Sequence, residues 1–204
     1  MEVGFANAPA ASAIMLLTIV ISLYGIYSNR SLVVRWMLRP YYLVRNRRWI
    51  TLLTSGFVHG DVMHLMFNMI SFYFFAFVVE ARIGSVEFLL MYLLCMVLAD
   101  VKTIIKQSDN PLYASLGASG AVSGIMFSSI IYYPQATLMI FPIPVPIPSP
   151  IFAVLYLAYC FYAGRRAHDN INHDAHLWGA ISGLVITAII SPWEFVGFFR
   201  FIFG

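Results

Sequence analysis

Long apolar runs broken by short polar stretches dominate the chain, and six of them are long enough to be read as membrane spans. The first covers roughly Ala11 to Ser28, the second Val62 to Glu80 and the third Val86 to Ile105. The fourth covers roughly Ser115 to Tyr133, the fifth Ile151 to Ala163 and the sixth Ala175 to Ile190. Some are short for a bilayer, so local thinning is expected. The pattern predicts an all-α membrane protein of six helices, with residues 1–204 forming one domain.

Two connections differ from the rest. Residues 29–61 interleave Arg30, Arg35, Arg39, Arg45, Arg47 and Arg48 with Leu, Val, Trp and Tyr, a mixture that favours a segment lying in the interface. Residues 141–150 carry a proline at every second position from Pro142. This removes alternate backbone donors and predicts a stiff polyproline connector.

Composition agrees with the pattern: 61% of the residues are hydrophobic and 10% charged, where a soluble domain would carry about a quarter charged residues. The twelve Lys and Arg lie mostly between apolar runs, which reads as membrane topology and excludes a nucleic-acid surface. Cys95 and Cys160 lie inside apolar runs, as small hydrophobes. No basic segment precedes the first run, so it is expected to stay as a helix and not to act as a secretory signal.

Polar side chains at bilayer depth are costly and mark candidate sites. Ser119 opens the fourth span within Gly117-Ala118-Ser119-Gly120, and His176 opens the sixth within Ala175-His176-Leu177-Trp178-Gly179. A serine hydroxyl is a weak nucleophile until a neighbour accepts its proton, and His176 fits that role if the two spans pack closely. Gly120 with Gly124, and Gly179 with Gly183, give each span the small ridge that close approach requires. A tetrahedral intermediate also needs preset donors. His64 and Asn68, one turn apart at the start of the second span, share a helix face and can supply them beside the amide of Ser119. Taken singly, each feature also fits ordinary helix packing or a local hydrogen bond.

The motifs together resemble the rhomboid family of intramembrane serine proteases. The resemblance rests on His64-x-x-x-Asn68, Gly117-x-Ser119-Gly120 and Ala175-His176-x-x-Gly179, in that order on the second, fourth and sixth spans, and covers Trp49 to about Gly183. Arg48-Trp49, Phe57-x-His59 and Glu80-x-Arg82 add to it. It implies a six-helix core and a Ser119/His176 dyad cleaving single-pass membrane proteins in the bilayer, without cofactor or metal. It also implies a bacterial inner membrane, with both termini cytoplasmic. Two positions depart from the family: Ile50 follows Trp49, and Ser123 stands where many members carry an aromatic that stacks on the histidine. Trp178 and aromatics of other spans are candidates to hold His176 instead.

Asp174 lies two residues from His176, so on a helix it should face elsewhere. His168 and His173 read as a solvated loop pair, and no cysteine or glutamate completes a metal set with them. Lys102 is expected to snorkel, with Asp100 facing the bundle or the headgroups. Two other functions fit parts of the pattern: a catalytically inactive relative that binds membrane clients, and a transporter using His64, Asp100 and His176 as a proton relay.

Overall fold

The computed structural model describes residues 7–140, 143–166 and 169–204. The chain opens with helix α1, Pro9–Tyr27, which begins with proline at its first position, where the missing N–H has no intrahelical role. The arginine-rich connection folds into short helices α2, Arg30–Trp36, α3, Pro40–Asn46, and α4, Thr51–Thr54, followed by a 3-10 turn over Ser55–Phe57. Val33 and Leu43 anchor α2 and α3 by burial, so this segment is docked structure.

Helices α5, Val62–Ile83, and α6, Ser85–Ala99, meet at Gly84, whose φ of +90° favours glycine. Helix α7, Val101–Gln107, continues α6 after a break at the buried Asp100. Helix α8, Ser119–Tyr132, is buried from Gly120 to Tyr132. Around it pack α5, α6 and α10, the last spanning His173–Ile190, with α9, Ser149–Arg166, on the flank. A core of Phe72, Phe88, Met91 and Tyr92 fills the space between α5 and α6.

Among the described residues, four helical stretches are long and apolar enough to cross a membrane: Pro9–Tyr27, Val62–Ile83, Ser85–Gln107 and His173–Ile190. The chain is therefore a multi-pass membrane protein. Of the two other expected spans, α8 is apolar but only 14 residues long, or roughly 21 Å against a hydrocarbon core of about 30 Å.

Two features were hidden in the sequence pattern. Strand β1, Thr137–Ile140, pairs antiparallel with β2, Ile143–Pro148, in register Thr137 with Pro148 and Leu138 with Ile147. The proline-rich stretch is thus extended as expected, but as half of a hairpin and not as a lone polyproline connector. Pro142 and Phe141 lie outside the described residues. A last helix, α11, Pro192–Phe203, follows α10, and Arg82 of α5 forms an ion pair with its Glu194.

Candidate active site

Helices α5, α8 and α10 all begin at one end of the molecule, and the candidate residues sit within their first two turns. Gly117 makes the approach to α8 possible: its φ is +109°, and a Cβ there would lie 2.7 Å from the His64 ring. The strand leading into α8 is tied down by three bonds. Ser115 N–H donates to the Leu38 carbonyl at 2.9 Å and Gly117 N–H to the Ser55 carbonyl at 2.9 Å. Ala118 N–H donates to His59 Nε2 at 3.4 Å. No side chain caps α8, so the amides of Ser119, Gly120 and Ala121 enter the site with no acceptor in their own helix.

His59 is fully buried between α1 and this strand. Because Nε2 accepts from Ala118, Nδ1 carries the proton and donates to Ser22 Oγ at 2.9 Å, and Ser22 in turn donates to the Phe57 carbonyl. Burial, with some help from the nearby His64 and against the pull of Asp61, pushes the His59 imidazole down to about 3.

Ser119 Oγ and His176 Nε2 are 2.7 Å apart. They meet because α8 and α10 touch backbone to backbone. A Cβ on Gly179 would lie 2.0 Å from the Gly120 carbonyl oxygen, and one on Gly183 would lie 2.0 Å from that of Gly124. Neither position has room for a side chain. At the start of α10, Asn172 accepts from Ala175 N–H at 3.1 Å as a helix cap. It also accepts from Thr103 Oγ1 and donates to Ser115 Oγ, binding α7, α10 and the approach to α8 together.

His64 lies beside Gly117, two residues before Ser119. Asn68 is buried, and its Nδ2 donates to the His64 carbonyl at 2.9 Å, one turn back in its own helix. The pair thus shares a helix end near Ser119, but the Asn68 donor is engaged locally in this state.

Several neighbours differ from expectation. His173 is no solvated loop residue: it is 3% exposed, it opens α10, and its Nε2 lies 3.2 Å from both carboxylate oxygens of Asp169. The bonds from His173 and from the Ile171 amide hold the Asp169 carboxyl below the usual carboxylate range. His168 lies outside the described residues. Asp174 faces α7, where Lys102 and Lys106 reach it at 3.3 and 2.9 Å; Lys102 is paired, not snorkelling alone. Trp178 is 39% exposed, while Ser123 bonds the Tyr156 hydroxyl of α9 at 2.7 Å. The sequence signal for His173 was its spacing, three residues before His176 on one helix face. Asp169 and Tyr156 gave none. Among the described residues, no three His, Cys, Asp or Glu side chains are grouped to hold a metal ion.

The chain is 30% identical over 166 residues to RHOMBOID-like protein 12, mitochondrial, of Arabidopsis thaliana, covering 74% of this chain and 49% of that one. It is 28% identical over 152 residues to the putative rhomboid protease YdcA of Bacillus subtilis, covering 71% and 68%. To rhomboid protease GluP of the same organism it is 25% identical over 176 residues, covering 86% and 33%. The chain thus spans about half of the first relative and a third of the last. These relatives come from organelles as well as bacteria, so the family is not confined to bacterial membranes. The Rhomboid domain model matches residues 46–193, taking in the helices of His64, Ser119 and His176 in one stretch, and by that match the chain belongs to the rhomboid family.

Proposed function

We propose that the chain is an intramembrane serine protease in which Ser119 is the nucleophile and His176 its base. The observation that carries this reading is the 2.7 Å contact between Ser119 Oγ and His176 Nε2, made across two helices in backbone contact. In the proposed reaction, Ser119 Oγ attacks the scissile carbonyl carbon as its proton passes to His176 Nε2. His176 then gives that proton to the leaving amine as the C–N bond breaks, and water hydrolyses the acyl-serine. The first amides of α8, which have no acceptor within their own helix, receive the oxyanion in this reading, with His64 and Asn68 as side-chain donors once Asn68 turns from its local bond.

The architecture proposed around this chemistry is a single domain of six membrane helices, α1, α5, α6–α7, α8, α9 and α10. In this architecture α8, at 14 residues too short to span alone, starts below the bilayer surface and carries Ser119 at depth. Substrates are single-pass membrane proteins whose helix must open to expose a carbonyl, so Gly or Pro near the scissile bond should favour cleavage. No cofactor or metal enters this mechanism, and the proposed location is a bacterial inner membrane.

A fluorophosphonate probe reacts with an activated serine and tests the reading directly. Purified protein should be labelled and should cleave a transmembrane model substrate, whereas Ser119→Ala and His176→Ala should do neither. Cleavage that survives in Ser119→Ala would sink the proposal. Substrate capture without labelling in the wild type would favour the inactive client-binding protein.

A further inference from the structure

We propose that His173, itself held by Asp169, is the positioning residue that fixes the ring plane of His176 for proton exchange with Ser119; the inference rests on the protease reading above.

A base works when a third group orients it. The Ser119 contact pins one corner of the His176 ring at Nε2, but a ring held at one corner can still turn. Its plane is set by what packs against it. The His173 ring stands 6.1 Å from that of His176, centroid to centroid, at an interplanar angle of 81°. This is the edge-to-face geometry that aromatic rings favour. The two residues are three apart in the first turn and a half of α10, so the helix itself delivers the contact.

His173 is in turn fixed on two other sides. Its Nε2 is within reach of both Asp169 oxygens, and Asp169 is preset by accepting from Ile171 N–H at 3.0 Å. The Tyr159 ring of α9 meets it edge-on at 5.4 Å and 87°. With Nε2–H given to Asp169, the lone pair lies on Nδ1, which is buried and has no hydrogen-bond partner among the described residues. A phenyl ring would fill this place without leaving a buried acceptor unpaired. The Asp169 bond explains the imidazole: it locks the ring's rotation, as an apolar ring in the same place would not be locked. On α8, Ser123 is turned toward Tyr156.

The test measures two rates on the full-length protein in detergent: fluorophosphonate labelling, and cleavage resolved into kcat and KM. His173→Ala is expected to lower kcat and the labelling rate together by roughly 100-fold, with KM little changed, as a misplaced base does. His173→Phe, which restores a ring but cannot bond Asp169, is expected to recover part of that loss, and Asp169→Ala, which keeps the ring but frees it, to fall to a similar intermediate rate. Wild-type rates in His173→Ala would overturn the proposal, and so would a His173→Phe variant no faster than His173→Ala. If His173→Ala fails to fold, the Phe variant and Asp169→Ala still decide. A Phe variant slower than Asp169→Ala by the full 100-fold would show that the ring contact is not what orients His176. Failure of the wild type itself to label at Ser119 would instead remove the protease reading.

Discussion

At the scale of single residues, His59 links acidity to the site. The imidazole ordinarily titrates at 6.5 and in the fold at about 3, so between those values the unfolded chain binds more protons than the folded one. The stability this group contributes is therefore complete above about pH 6.5 and is lost as pH falls toward 3. A proton on Nε2 would also oppose the Ala118 amide, one residue before Ser119. Lowering the pH from 7 to 4 should thus reduce both Tm and cleavage, and His59→Gln should show a flatter Tm profile. An equally steep slope in that variant would assign the effect to other groups. Ser119 and His176 were legible from the chain because serine and histidine are conspicuous among apolar residues. His173 and Asp169 were not, because a histidine near a span boundary looks solvated until α9 is packed over it. Asp174 faces away from His176 as its spacing predicts, but its two lysine partners on α7 depend on a break at Asp100 that no local pattern marks.

At the scale of elements, the approach of α8 to α10 is set by glycines, and this was readable from two four-residue spacings. A methyl group at Gly179 would overlap the Gly120 carbonyl, which must then retreat by about 1 Å, a displacement that can reduce rate about 100-fold. Gly179→Ala should therefore lower Tm and be labelled poorly. Gly197→Ala, where a Cβ meets nothing within 4 Å, should behave as wild type. Equal activity in the two variants would separate helix spacing from catalysis. The hairpin was not readable, because alternate prolines describe an extended chain equally well with or without a partner strand. Once β1 is paired, the donors of the ladder must come from the odd positions of β2, since Pro144, Pro146 and Pro148 have none. The remaining edge is then poor in N–H groups and resists strand addition. Helix α11 escaped because its Phe-rich turns follow Pro192 too soon after α10 to read as a further span.

At the scale of the whole molecule, charge and family point to opposite orientations. In the proposed six-helix topology, ten of the twelve Lys and Arg fall on the side toward which Ser119 opens: Arg30, Arg35, Arg39, Arg45, Arg47, Arg48, Lys102, Lys106, Arg165 and Arg166. The positive-inside rule would make that side cytoplasmic. Six of the ten, however, belong to the connection that folds as α2 and α3 against the bundle. Arginines on such a docked, half-apolar segment reach headgroups on either face and carry less topological weight. A reporter fused after Gly204 should accordingly be active in the cytoplasm, and activity only on the outer side would reverse the molecule. Glu80 carries a further consequence at this scale. Buried at the end of α5, it accepts from the Ala10 and Ala11 amides at 2.9 and 2.6 Å and from Ser85 Oγ at 2.6 Å. The first turn of α1 thus finds its acceptor about seventy residues downstream. During synthesis α1 must wait, its leading amides in water or among headgroups, until α5 has emerged and turned back alongside it, so that the start of the first helix is among the last parts of the N-terminal half to settle.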